Sequence, residues 1–134
     1  MSEVRRAYSG GLWESKVGYC RAIRHGALVW VTGTTSFDEN GTIHAPGDAY
    51  AQAVRCLQII KTALVELDVQ MSDIVRTRIF VTDIRDWEAI GRAHLEVFQH
   101  HPPTTTMVEV SRLIGPEMRV EIEADAMVSD MKKE

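Results

Sequence analysis

Halfway along the chain the apolar residues change period, and that change limits the folds open to it. Tyr50, Ala53, Leu57, Ile60, Leu64 and Leu67 recur at spacings of three and four. That is one face of a helix of about 19 residues. Gly47-Asp48 opens it, and the Asp48 carboxylate can accept bonds from the free N–H groups of the first turn. Residues 74–82, IVRTRIFVT, then alternate. Val75, Thr77, Ile79 and Val81 share one face, and Arg76, Arg78 and Phe80 share the other. A one-sided helix followed by a one-sided strand is buried most simply as helix on sheet.

The flanking segments extend the same scheme. Two β-rich runs, 19–24 and 27–34, flank a His25-Gly26 break and read as a hairpin. Asp38-Glu39-Asn40-Gly41 is a turn with Asn-Gly at its core. Asp86 is placed as the cap of a second helix with Trp87, Ile90, His94 and Phe98 on one stripe. His100-His101-Pro102-Pro103 ends that helix, because proline cannot continue it. Two last strands are expected over 104–113 and 118–128, with Gly115-Pro116 turning between them. The predicted order is β-β-α-β-α-β-β: an α/β (α+β) chain with one mixed sheet and both helices on one face. The uncovered face carries Arg76, Arg78 and an acidic row, with Phe80 and Met107 interspersed. A half-apolar open face marks a subunit contact, and symmetric assembly is the default, so a homo-oligomer is expected.

The 134 residues make a single domain over 1–134. About two-thirds of the unfolded chain's surface can be buried at this size, so neither disulfide nor metal is needed for stability. A composition 45% hydrophobic and 25% charged excludes a disordered chain. A net charge of −4 argues against a broad nucleic-acid surface. Cys20 and Cys56 lack CxxC spacing and read as free thiols in a reducing compartment. MSEVRRAYSG has charges and no apolar core, so no signal peptide is expected. The longest apolar runs are four or five residues, too short to span a bilayer. The expected location is the cytoplasm.

The five histidines show no HxH, HExxH or paired Cys/His spacing, so no metal site is expected. Gly33-Thr34-Thr35-Ser36 is not a nucleotide-binding fingerprint, and a plain turn is the simpler reading. No GxSxG elbow exists. Cys20 neighbours Arg21, and a cation can lower a thiol pKa. Consecutive strand residues point apart, however, which favours a structural thiol. Acid–base chemistry could use Glu109, Glu121, Glu123 or Asp125, and composition does not choose among them. Thr104-Thr105-Thr106 is a hydroxyl cluster suited to a small polar ligand, but threonine is also a good strand former.

Four stretches together resemble the Rid family, the YjgF-like reactive intermediate deaminases. They are GYCRAIRHGALVWVTGTTS, GDAYAQAVRCLQIIKTAL, SDIVRTRIFVTDIRDWEAIGRAHLEVF and MVEVSRLIGPEMRVEIEADAMV, covering about residues 17–128. The resemblance implies a chorismate-mutase-like fold and a homotrimer with small-molecule clefts between subunits. In the deaminase branch those clefts hydrolyse 2-imino acids without metal or cofactor. It places the cleft tyrosine at Tyr19, the strand-end glycine at Gly33 and the next polar residue at Thr34. It places an aromatic from the neighbouring subunit at Trp87 and the water-positioning glutamate at Glu123. Met107 stands where a cysteine is usual, and Gly91 where an asparagine is usual. The arginine that clamps the substrate carboxylate is replaced by Thr105. Losing a charged hydrogen bond costs on the order of 1.5–3 kcal/mol, so a carboxylate clamp does not survive intact.

Two functions of different classes follow from the resemblance. One is a hydrolase or deaminase acting on an imine or enamine other than 2-aminoacrylate. The other is a non-catalytic trimer binding a small metabolite or a protein. Retention of Tyr19 and Glu123 favours the enzyme, and Thr105 favours a changed substrate or no catalysis. Ribonuclease activity, ascribed to some relatives, is disfavoured by the acidic balance. No membrane or nucleic-acid partner is expected.

Overall fold

The computed structural model describes residues 3–129. Its elements are β1 (Val4–Ala7), α1 (Leu12–Val17), β2 (Ala22–His25), β3 (Leu28–Thr34), α2 (Ala49–Glu66), β4 (Ile74–Val81), α3 (Trp87–Phe98), β5 (Thr104–Glu109) and β6 (Val120–Met127). The strands form one sheet in the order β1-β2-β3-β6-β4-β5. All pairings are antiparallel except β4 with β5, which run parallel around the α3 crossover. This is the single mixed sheet that the sequence predicts, with the two predicted helices, α2 and α3, packed on one face.

The core lies between the helices and the inward rows of the sheet. Ala53, Ile60 and Leu64 of α2 and Ile90 and Phe98 of α3 join Val31, Ile79, Val81, Ile122 and Ala124 in one buried cluster. Along β6 burial alternates without a break, from Val120 to Ala126 inward and from Glu121 to Asp125 outward. Asp48 caps α2 as expected, accepting from the Ala51 N–H at 3.0 Å. The Asp38–Gly41 turn also forms, closed by a Gly41 N–H to Asp38 O bond of 2.8 Å. Cys56 is fully buried in this core, and burial pushes its thiol far above the ordinary range. The expected chemical outcome is that Cys56 resists thiol reagents until the protein unfolds, which alkylation followed by mass spectrometry reads directly.

Several expectations are corrected. β1 and α1 were not predicted. β1 reads VRRA, with too few apolar positions for a strand signal, and α1 is only six residues long. Tyr19 and Cys20 lie in the loop after α1 rather than in a strand, since Gly18 turns left-handed at φ 95° and closes that helix. Val75 faces outward, because a register shift between Ile74 and Arg76 puts Ile74 inside instead. Asp86 makes no capping bond. Its carboxylate holds Arg119, at 2.8 Å to Nη2, and Asp83 caps the 3₁₀ turn leading into α3. Trp87 is 56% exposed rather than packed on the stripe. β5 ends at Glu109 and β6 starts at Val120. Met107 pairs with Ile79 and packs on the core, so it is Val108, opposite Phe80, that shares the open face.

Candidate functional site

The site is built at the end of the sheet where β3, β6 and the two chain segments before β2 converge. β3 is irregular between Val31 and Thr34, where its pairing with β6 shifts. Gly33 sits in that irregularity. A methyl group on Gly33 would collide with the Glu121 carboxylate, which lies directly over it. The register that buries Val120 and Ile122 turns Glu121 outward, and the missing side chain at Gly33 gives it a place. Burial raises the Glu121 carboxyl above the usual carboxylate range. The neighbouring Glu123 charge raises it further, and Arg21 partly offsets both.

Beneath Gly33 lies an ion pair closed to water. Arg21 and Glu14 are 3% and 4% exposed, with Arg21 Nη2 3.0 Å from Glu14 Oε2. Arg21 Nη1 donates to Gly33 O at 2.8 Å and to Thr34 Oγ1 at 3.2 Å. Its Nε donates to Glu14 Oε2 at 3.0 Å. Ser9 Oγ caps the same carboxylate. The guanidinium stands 5.6 Å from the ring centroids of both Tyr19 and Phe37. One cation thus fixes the glycine carbonyl and two aromatic walls.

Above this floor opens a cavity of about 160 Å³. Leu12 and Trp13 of α1, Phe37 and Ile43 of the loop before α2, and Ile114 and Met118 of the loop before β6 form its walls. Tyr19, Gly33 and Glu121 form its polar end. Gln52, wholly buried on α2, holds the last of those loops in place. Its amide donates to Glu117 O at 3.0 Å and accepts from the Arg119 N–H at 2.9 Å. Gly33→Ala is therefore expected to displace Glu121 while leaving the fold intact, since only the end of a flexible side chain must move. Any activity should fall by one to two orders of magnitude with the melting temperature unchanged.

The sequence and the fold are similar to those of known proteins. A family model described as Endoribonuclease L-PSP matches residues 13–128. The chain belongs to the YjgF/Rid family. It is 32% identical over 110 residues to the 3-aminoacrylate deaminase RutC of Acinetobacter baylyi, covering 82% of this chain and 86% of that one. It is 35% identical over 123 residues to an uncharacterized protein of Streptomyces coelicolor, covering 92% and 91%. The crystal structure of a Mycobacterium tuberculosis member of the YjgF/YER057c/UK114 family superposes with a TM-score of 0.85 at 44% identity, covering 94% of this chain and 100% of that one.

The residues that the Rid resemblance singles out fall into two groups. Tyr19 and Gly33 line the cavity. Thr34 lies beside them but is fully buried, and its hydroxyl is taken up by Thr32 O and Arg21. Glu123 stands one rung from the cavity, on the open sheet face, 3.2 Å from Arg78 Nη1. Asp125 shares that arginine at 3.3 Å. Of the strand's alternate carboxylates, the cavity receives Glu121. The remaining residues are at the other edge of the sheet. Thr105 and Met107 are on β5, and Thr105 bonds Thr77 and lies 3.5 Å from His94 Nε2. Burial lowers the His94 pKa. Trp87 and Gly91 run along the same side of α3, where a side chain at Gly91 would meet open space. From Gly33 on β3 to Thr105 on β5 is three strand spacings, about 14 Å. One protomer cannot close both groups on one small molecule.

Sequence reasoning missed Arg21, Glu14 and the α1 wall. The signal for Arg21 is weak, because an arginine next to a strand is ordinarily solvated. Glu121 was among the candidate carboxylates, but a period of two cannot separate it from Glu123. Only the register against Gly33 does so.

Proposed function

We propose that this protein hydrolyses a small imine or enamine to a carbonyl compound and ammonia, in the cavity of Tyr19, Gly33 and Glu121. The observation that carries the reading is the Glu121 carboxylate, held over Gly33 in a half-buried setting that raises its pKa toward working pH. A carboxylate so placed is a serviceable general base. The chemistry needs little more. A water lone pair forms the new C–O bond while the C=N π pair moves to nitrogen, and Glu121 takes the water's proton. It returns that proton to nitrogen, giving a carbinolamine. It then takes the carbinolamine's hydroxyl proton and passes it to the same nitrogen, so that the C–N bond breaks with loss of ammonia while the oxygen lone pair closes the carbonyl. No oxidant or reductant is consumed. The named activity of the Acinetobacter relative, deamination of an aminoacrylate, supports the same bond-breaking class.

The cleft is completed, in this reading, by the β5 edge of a second copy in a closed trimer. The 14 Å separation of the two residue groups favours this, as does the uncovered sheet face, where Leu28, Trp30, Val108 and Met127 are all exposed. The family's ribonuclease description finds less support. Among the described residues, the only cation lining the cavity is Arg21, and it is already engaged.

Two measurements test the reading together. Light scattering should give three times 15.1 kDa. Imines generated in situ by an amine or amino-acid oxidase should release ammonia faster with the protein than in buffer. A monomer at micromolar concentration removes the shared cleft. Ammonia release at the buffer rate across a structurally varied imine panel removes the enzyme and leaves a binding module.

A further inference from the structure

We propose that the cavity selects a ligand without a carboxylate: a neutral or cationic imine or enamine bearing an apolar group of about benzene size. The chemistry rests on the hydrolysis proposed above, but the ligand class is argued from the cavity alone. An apolar cavity of about 150 Å³ accepts a benzene, and this one measures about 160 Å³. Trp13, Phe37, Ile43 and Met118 give it apolar walls, against which a ring or short alkyl chain buries its surface.

Charge decides the other end. Among the described residues, Glu121 is the only carboxylate lining the cavity and Arg21 the only cation. Every nitrogen of Arg21 already serves Glu14, Gly33 O or Thr34, and the side chain is closed to water. Two cations that touch its walls, Lys16 and Arg55, do not line the space. Lys16 stands 5.5 Å over the Trp13 ring, and Arg55 donates to Phe37 O at 2.9 Å. An incoming carboxylate would therefore meet Glu121 with no free cation among the described lining residues of the same protomer to compensate it. A neutral C=N–H or an iminium meets the same carboxylate as a hydrogen-bond donor, and charge assistance strengthens that bond. The product is then an aldehyde or ketone rather than a keto acid.

The test uses three probes of one shape and different charge: benzoate, benzamide and benzylamine, titrated calorimetrically into the assembled protein at pH 7. Benzamide and benzylamine should bind at least tenfold tighter than benzoate, and Trp13→Ala should weaken both by about tenfold. Benzoate binding as tightly as the other two overturns the inference, and so does the absence of binding by any of the three at millimolar concentration. A separate arm compares ammonia release from the imines of benzylamine and of phenylglycine, which differ only by the carboxylate. Preference for the phenylglycine imine overturns the ligand class and leaves the hydrolysis standing. The expected binding order with neither imine accelerated supports the ligand class and removes the hydrolysis.

Discussion

Glu121→Gln should lower imine turnover by roughly 10²–10⁴ and, at neutral pH, raise the melting temperature. The two effects have one origin. The carboxylate is half-buried beside Glu123, so the folded protein holds its ionised form at a cost, and its folded pKa is raised. A raised folded pKa means that the native state binds the proton more tightly than the unfolded chain does. Stability from this group is then full below the unfolded carboxylate value and is lost as pH rises through the higher folded value. Glutamine keeps the shape and removes that loss. In the wild type, turnover should rise with pH through the same raised value, because the base works only when ionised. Glu123→Gln is the control. Its partner is Arg78 on the open face, and it should leave kcat within severalfold. A Glu121→Gln protein of wild-type activity would end the assignment of this carboxylate as the base. A lowered melting temperature at pH 7 would show that its charge is stabilised by something other than the groups described.

The helices and central strands were legible because burial and period agree there. The α2 stripe from Ala53 to Leu67 and the inward row from Val120 to Ala126 are each one-faced, and each packs as its spacing demands. What the sequence hid was decided by geometry of longer range. Val75 and Ile74 exchange places through a bulge, which no period of two announces. Met107 takes the helix face because β5 runs parallel to β4 in a register that pairs it with Ile79. Asp86 has the residue type of a cap, but its carboxylate is drawn to Arg119 across 33 positions of sequence. The candidate site divides in the same way. Tyr19 and Gly33 were readable by resemblance. Their support, an arginine pinned between an N-terminal helix and a strand bulge, depends on Glu14, and a lone acid in a short unpredicted helix carries no sequence signal.

That support is where substitution should cost the fold most. Glu14→Gln leaves the Arg21 guanidinium buried with its charge uncompensated, and Arg21→Met leaves the Glu14 carboxylate in the same condition. Breaking a buried pair by removing one partner typically costs about 3–5 kcal/mol. Each variant should lose that much in urea unfolding at a fixed protomer concentration, since an oligomer's apparent stability depends on concentration. The double variant Glu14→Leu/Arg21→Met removes both charges and should recover much of the loss, because the desolvation penalty of the orphaned ion disappears. It should not recover the site. Arg21 bonds Gly33 O and faces Tyr19 and Phe37, and its charge holds the Glu121 pKa down against burial. Without it the carboxyl titrates higher, so the acidic limb of the pH–rate profile should move to higher pH in both proteins that lack Arg21. Single-variant losses below about 1 kcal/mol would mean that water reaches the pair. An unmoved acidic limb in Arg21→Met would mean that Glu121 does not sense the guanidinium, and would detach the ion pair from the chemistry above it.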